Sequence, residues 1–370
     1  MSDAAPVLDP GATIGILGGG QLGRMLAQAA ARLGFKCHVF APNPESPAFD
    51  VVHRVTCADY TDTQALDRFA TDVDLVTYEF ENVPAETAAF LAARLPVRPD
   101  PNVLAITQDR LAEKNFVSGL GIATAAFAAA DGPADLTPAL KETGLPAVLK
   151  TRRLGYDGKG QAMIREPQSA EAAWRAVGAQ PSILEAFVPF ACEVSVVAAR
   201  SHDGSVECFD VTENEHQNHI LKMSRVPARV SAEAADTARG IAEKIAQEFD
   251  YVGVLAVEMF VLRDGTLLVN EIAPRVHNSG HWTLDGASVS QFEQHIRAVA
   301  GWPLGTPVRH GRVEMINLIG SEVEDYRAWL KVPGATVHLY GKAAVRPGRK
   351  MGHVTEVGVT EAGIVPPKTA

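Results

Sequence analysis

The stretch VGVLAVEMFVLRDGTLLVNEI, residues 252–272, reads as two apolar strands, Val252–Leu262 and Thr266–Ile272, around Asp264-Gly265. Asp-Gly is a favoured type I′ pair for a two-residue hairpin. Counting equally back from that turn sets Arg263 against Thr266 and Glu258 against Glu271. Directly opposed residues share one face of a sheet. Two carboxylates side by side among Val254, Leu255, Val257, Met259, Leu267, Leu268 and Val269 repel each other. Either one is protonated or a cation lies between them. A hard cation with few protein oxygens suits Mg²⁺ carrying a nucleotide's phosphates, and Asn270 can add an oxygen. A solvent-facing pair on an edge hairpin fits the dense apolar flanks less well. The pairing hangs on the turn, since a one-residue slip moves every side chain to the other face.

Directly after the hairpin comes Pro274-Arg275-Val276-His277-Asn278-Ser279-Gly280-His281-Trp282. An arginine, two histidines and an asparagine beside a carboxylate pair form an active-site loop able to hold a small anion. About a hundred residues upstream, Lys150 ends the apolar run Ala147-Val148-Leu149, where a lysine needs an anionic partner. Arg152 to Gln161 follows, with Gly155, Gly158 and Gly160 among basic residues. A Walker loop would open into a helix through Gly-Lys-Ser/Thr; this one opens into a strand. It fits a flap folding backbone amides and lysine over ATP phosphates, against the plainer reading of a surface hairpin.

Further upstream, strands and helices alternate: Ala12–Gly18, Gln21–Leu33, Lys36–Ala41, Val73–Phe80, then a helix from near Pro84. Alternation of this kind predicts a parallel sheet. Gly18-Gly19-Gly20-Gln21-Leu22-Gly23 fits G-x-G-x-x-G at the first strand–helix turn, where backbone N–H groups can hold an anion. The dinucleotide fingerprint also wants an acid ending the second strand. Here that strand ends Phe40-Ala41-Pro42-Asn43, which disfavours a nicotinamide enzyme. A phosphate or polar substrate at the helix start is the better reading, with simple strand–helix packing as the plain alternative. Arg98 to Asn102 reads as a linker. Short strands from Ala147 to Val211, helices Ala232–Phe249 and Val289–Ala300, and a strand-rich last seventy residues complete an α/β plus α+β chain.

The 370 residues exceed what one core usually serves, so two or three domains are expected. A net charge of −10 argues against general nucleic-acid binding. No apolar run reaches the roughly 18 residues of a membrane span. Cys37, Cys57, Cys192 and Cys208 lack metal or disulfide spacing, and residues 1–11 lack a secretory pattern, so a cytoplasmic location is expected.

Five segments carry a resemblance over most of the chain: Gly18 to Met25, Thr77 to Val83, Gly155 to Gln161, Asn270 to Trp282, and Val345 to His353. They resemble the N5-carboxyaminoimidazole ribonucleotide synthetase family of ATP-grasp enzymes. Val276 stands where proline is expected, and the first ten residues form an extra tail. The resemblance implies an N-terminal Rossmann-like (pre-ATP-grasp) region over 1–100, an ATP-grasp region over 101–300 with its flap at about 121–185, and a C-terminal module over 301–370. It implies ATP-dependent carboxylation of 5-aminoimidazole ribonucleotide by bicarbonate through carboxyphosphate, in purine synthesis. ATP phosphates would meet Arg110, Lys150 and the loop Gly155, Tyr156, Asp157, Gly158, Lys159, Gly160, Gln161. Glu185, Ala186, Phe187 and Val188 would lie along adenine, Glu193 would bind the ribose, and His216 would line the nucleotide. Glu258 and Glu271 would bind Mg²⁺ beside Asn270, and Arg275, His277 and Asn278 would hold bicarbonate or carboxyphosphate. Gln21, Leu22 and Glu79 would face the aminoimidazole, and Lys342, Arg346 and Arg349 its phosphate. A homodimer and hand-over of product to the following mutase are further implications. Another ATP-grasp ligase, such as a formate-dependent glycinamide ribonucleotide transformylase, would share the flap and the carboxylate pair, whereas a non-catalytic nucleotide-binding protein would keep Lys150 and the glycine loop but have no need for Arg275 and His277.

Overall fold

The computed structural model describes residues 7–155, 158–359 and 363. Its first sheet holds β1 (Thr13–Leu17), β2 (Lys36–Ala41), β3 (Arg54–Cys57) and β4 (Leu75–Tyr78), ordered β3-β2-β1-β4 and parallel throughout. Apolar residues on both faces explain the parallel sheet: Ile14 and Ile16 pack into one core, Leu17, Val76 and Tyr78 into another. β3, whose residues are largely exposed, carries no apolar run and has no counterpart in the sequence reading.

The stretch from Arg98 to Asn102 is a packed corner rather than a linker. Pro101 opens the helix Pro101–Thr107, and Asp100 caps it by accepting from Asn102 N at 2.8 Å. Proline is well placed at a first helical turn because the N–H it lacks has no partner there. Arg98 is buried and donates to Val299 O. The N-terminal segment is also anchored: Leu8 N donates to Ala300 O, and Trp302 Nε1 donates to Leu8 O at 2.8 Å.

A second, antiparallel sheet contains β5 (Phe127–Ala130), β6 (Ala147–Thr151), β7 (Gln161–Ile164) and β8 (Ser182–Ala186), ordered β5-β8-β6-β7. Strand alternation sends Ala147 and Leu149 of β6 into its core and Val148 and Lys150 into a cleft.

The largest sheet has nine strands. They are β9 (Cys192–Arg200), β10 (Val206–Cys208), β11 (Thr212–Gln217), β12 (Ile220–Val226), β13 (Gly253–Val261), β14 (Leu267–Ala273), β15 (Val313–Ile319), β16 (Ala335–Leu339) and β17 (Lys350–Val357). The order is β14-β13-β9-β11-β12-β15-β17-β16, with β10 on β9. The C-terminal strands thus continue this sheet through the β12–β15 pair. β11 and β12 escaped the sequence reading because their TENEHQ and ILKMSRV are too polar to look like buried strands. On β9 and β13, Val194, Val196, Leu255, Val257 and Met259 enter one core, while Val197, Ala199, Val254 and Ala256 enter another. Glu193, Ser195 and Glu258 continue the second face.

The hairpin that opened the sequence reading turns differently from a type I′ pair. Leu262 N donates to Thr266 O and Gly265 N to Leu262 O, which makes Arg263, Asp264 and Gly265 a three-residue loop with Gly265 at φ 88°. Near the loop the strands therefore pair one place off the expected register, Met259 against Val269. A bulge then takes up Asn270 and restores Glu258 opposite Glu271. The longer loop and the bulge cancel.

Candidate active site

A cleft of about 780 Å³ lies between the second sheet and the polar end of the largest sheet. Arg110, Lys150, Gly155, Gly158, Lys159, Gln161, Glu185, Ala186, Phe187, Val188, Glu193, His216, Glu258, Asn270, Glu271, Arg275, His277 and Asn278 line it, with Gln21 and Leu22. Gly160, Glu79, Lys342, Arg346 and Arg349 are outside that lining. Tyr156 and Asp157 lie outside the described residues.

Neither carboxylate of the hairpin pair needs a proton to tolerate the other, because each has its own partner. Arg110 Nη1 lies 3.0 Å from Glu271 Oε2, and His277 Nε2 lies 2.9 Å from Glu258 Oε1. Burial alone would raise the Glu258 carboxyl, yet His277 and His216 hold it well below the usual range. The amide oxygen of the bulged Asn270 is buried and has no hydrogen-bond partner among the described residues. Two carboxylates and an unpartnered amide oxygen are a donor set for a hard cation. Among the described residues no cluster of three His, Cys, Asp or Glu side chains is arranged for a metal, so the rest of such an ion's shell would be phosphate or water.

Lys150 finds its anion in Glu185, at 2.9 Å. The buried Lys114 lies 3.9 Å from the same carboxylate and donates to Val269 O at 3.0 Å. Burial would raise Glu185, but Lys150 and Lys114 hold it down at about 2. Both lysines face Oε2 of Glu185, while its Oε1 is buried with no hydrogen-bond partner among the described residues. Phe190 and Phe260 stack with centroids 4.8 Å apart beside Phe187, an apolar slot the sequence reading did not include.

The loop after β14 is held at both ends of its functional residues. Gln291 accepts from His277 N at 2.8 Å and donates to His277 O at 2.7 Å. Arg275 pairs with Glu81 at 2.5 Å, joining this loop to the segment after β4. Asn278 and Asn317 exchange amide hydrogen bonds at 3.0 and 2.6 Å.

The first glycine loop meets an anion supplied by the protein itself. Gly20 N donates to Glu79 Oε1 at 2.7 Å, and Gly23 N also faces that carboxylate. A Cβ on Gly18 or Gly20 would stand 2.6 or 3.0 Å from the same oxygen. The glycines admit Glu79, so of the phosphate or polar substrate expected at this helix start, the phosphate gives way to an internal carboxylate. Burial pushes Glu79 above the ordinary carboxyl range, opposed by Gly20, Arg275, Gly23 and Lys342. Lys342 donates to Lys350 O at 2.6 Å, Arg349 donates to Ala344 O at 2.8 Å, and Arg346 is exposed.

Sequence reasoning passed over Glu81, Glu113, Lys114 and Asn317. For two of them a signal existed. Arg110, Glu113, Lys114 and Val117 fall at helical spacing on one face of Arg110–Gly119, so charged residues occupy the inward stripe. Glu113 accepts from Ile272 N at 2.7 Å, and burial beside Glu271 pushes its carboxyl up.

A two-sheet clamp over a carboxylate pair, joined to a parallel-sheet region, defines an ATP-grasp enzyme. Family profiles agree: the ATP-grasp domain matches residues 115–292, the ribonucleotide synthetase preATP-grasp domain 11–108, and the phosphoribosylaminoimidazole carboxylase C-terminal domain 314–364. The N5-carboxyaminoimidazole ribonucleotide synthase of Brucella melitensis is 51% identical, over 95% of this chain and 97% of its own. That of Pseudomonas aeruginosa is 48% identical, over 92% and 93%. A solved N5-carboxyaminoimidazole ribonucleotide synthetase in its ADP complex superposes with a TM-score of 0.92 at 42% identity, covering 95% of this chain and 94% of that one. The Aspergillus clavatus enzyme with ADP and 5-aminoimidazole ribonucleotide gives 0.88 at 30% identity, covering 94% of each. The chain belongs to the N5-carboxyaminoimidazole ribonucleotide synthase family.

Proposed function

We infer that this chain carboxylates 5-aminoimidazole ribonucleotide with bicarbonate and ATP, yielding N5-carboxyaminoimidazole ribonucleotide, ADP and phosphate, a step of purine synthesis. One observation carries the reading. A single cleft joins the Glu258–Glu271 pair and the cations Arg110 and Lys150 to the Arg275–His277 loop, and Arg275 connects that loop to Glu81 beside the Glu79 pocket. Phosphoryl donor, small anion and amine acceptor can therefore meet at one point.

Arg110, Lys150, Lys159 and the loop from Gly155 to Gln161 hold the ATP phosphates. The backbone from Glu185 to Val188 reads adenine, with Glu193 and His216 on the ribose. Glu258, Glu271 and Asn270 hold Mg²⁺, which when bound neutralises charge on the phosphates. Bicarbonate oxygen attacks the γ-phosphorus and ADP leaves. Arg275 neutralises the carboxyphosphate so formed, with His277 and Asn278 fixing its position. The aminoimidazole nitrogen then takes the carboxyl carbon, directly or as CO₂ freed in the closed site, and phosphate departs with the proton the amine gives up. Gln21, Leu22 and Glu79 orient the aminoimidazole, while Lys342, Arg346 and Arg349 hold its phosphate. Division near residues 100 and 300, a cytoplasmic homodimer and product hand-over to the mutase complete the proposal, the dimer being testable by sedimentation.

ADP release is the test. It should require 5-aminoimidazole ribonucleotide for full rate and fall sharply when bicarbonate is removed. Stimulation by glycinamide ribonucleotide with formate instead would replace this reading by a transformylase.

A further inference from the structure

A buried run of side chains beneath the cleft ends on His277, and the hydrogen bonds that lead to that ring have a set direction. Ser224 Oγ donates to Asn214 Oδ1 at 2.9 Å, and Asn214 Nδ2 donates to Ser195 Oγ at 2.9 Å. An amide has a donor end and an acceptor end, so these two contacts set the sense of the run. Ser195 Oγ then donates to Ser279 Oγ at 2.7 Å, leaving the Ser279 hydroxyl hydrogen for His277 Nδ1, 2.8 Å away. Ser279 N also donates to Nδ1. Nδ1 is therefore an acceptor, and the proton of the neutral ring sits on Nε2, which donates to Glu258 Oε1 at 2.9 Å. Asn214 is 6% exposed; Ser195, Ser224 and Ser279 are fully buried.

The register explains why the run closes on the site. Ser224 is paired with Asn214 across β12 and β11, and Ser195 with Glu258 across β9 and β13. The chain of donors begins at β12, crosses three strands' side chains and returns, through His277, to the neighbour of Ser195. With the other tautomer, the Nε2 lone pair would face the Glu258 carboxylate and that contact would be lost.

We propose that Asn214, Ser195 and Ser279 are positioning residues for the carboxylation: they lock His277 as its Nε2–H tautomer and so set the orientation of Glu258. This rests on the reading of His277 and Glu258 as parts of the active site. Ser195, Asn214, Ser224 and Ser279 are outside the cleft lining, which His277 enters, so their effect passes through the imidazole.

The test is ¹⁵N NMR of histidine-labelled enzyme without nucleotide, alongside steady-state kinetics. The His277 signal is identified by its loss in His277→Gln. At a pH where the ring is neutral, wild type should show the Nε2–H tautomer alone. Ser279→Ala and, less strongly, Ser195→Ala should reveal a measurable Nδ1–H fraction. Their kcat should fall about fivefold to fiftyfold while KM for ATP stays within twofold, and Ser195→Thr, which keeps the hydroxyl, should restore both readouts. An unchanged tautomer in both alanine variants overturns the proposal, whatever their activity or stability. Altered tautomer with unchanged kcat overturns the positioning role. If His277→Gln itself turns over normally, the failure belongs to the reading of His277 in the site and is separate from the hydrogen-bond run.

Discussion

Glu271 meets Arg110 on one side and opposes Glu258 on the other. Glu271→Gln removes a ligand charge, so turnover should fall roughly 10²-fold at limiting Mg²⁺, consistent with the ~1.5–3 kcal/mol of a charged contact. Because Arg110 retains an amide partner at a partly exposed site, metal-free stability should move by no more than about 1 kcal/mol in denaturant melts. Near-normal ADP release would remove Glu271 from the metal site. Glu185 makes a pH prediction. Its folded value of about 2 lies below the unfolded 4.5, so between these values the folded state binds fewer protons. The stability it contributes is complete above pH 4.5 and is lost as pH falls toward 2. Glu185→Gln should be less stable at neutral pH, since Lys150 and the buried Lys114 lose their counter-charge, and should lose less on acidification; an identical acid slope would contradict the lysine-held carboxylate. Arg349→Ala should raise KM for the ribonucleotide about tenfold to a hundredfold and leave KM for ATP nearly unchanged, since a guanidinium meets phosphate through a fork of donors. The reverse pattern would move the C-terminal basic cluster to the nucleotide. At this scale the candidate residues with an odd setting were legible: a lysine in an apolar strand, two acids in an apolar hairpin. Glu79 was legible as a residue to watch, but its carboxylate filling the glycine loop depends on β1 and β4 lying side by side, a long-range fact.

The hairpin from β13 to β14 shows what element-level reasoning can and cannot reach. Period-two alternation and a turn signal located both strands and the opposed acids. The three-residue loop and the bulge at Asn270 were invisible because each depends on backbone conformation rather than residue type. They shift register in opposite senses, so the pairing of the acids survived an incorrect turn. β11 and β12 were missed for a related reason: their inward side chains are polar because they serve the cleft and the hydrogen-bond run. The flap between β6 and β7 yields a further prediction. Leu154 and Arg153 are exposed there. Trypsin should cut after Arg153 or Lys159 in the free enzyme, and Mg²⁺ with ATP should slow that cleavage at least several-fold. An unchanged rate would mean the loop does not cover phosphates.

Across the whole molecule, the parallel sheet and the largest sheet are tied by buried polar contacts as well as a shared core. Arg98 reaches Val299 O, and Thr77 Oγ1 lies 2.7 Å from the fully buried His295, whose Nδ1 accepts from Val254 N. Thr77 is two residues before Glu79, so the Glu79 pocket is fixed relative to the carboxylate pair. The alternation of elements made the parallel sheet readable, whereas these ties involve partners up to 218 positions apart and have no local signature. The central claim is that this fixed geometry lets a bicarbonate oxygen attack ATP before the amine is carboxylated. Turnover with ¹⁸O-labelled bicarbonate tests it most directly, with the released phosphate analysed by mass spectrometry. The account predicts one ¹⁸O atom in each phosphate formed during ribonucleotide-dependent turnover; phosphate free of the label, with full product formation, would contradict it.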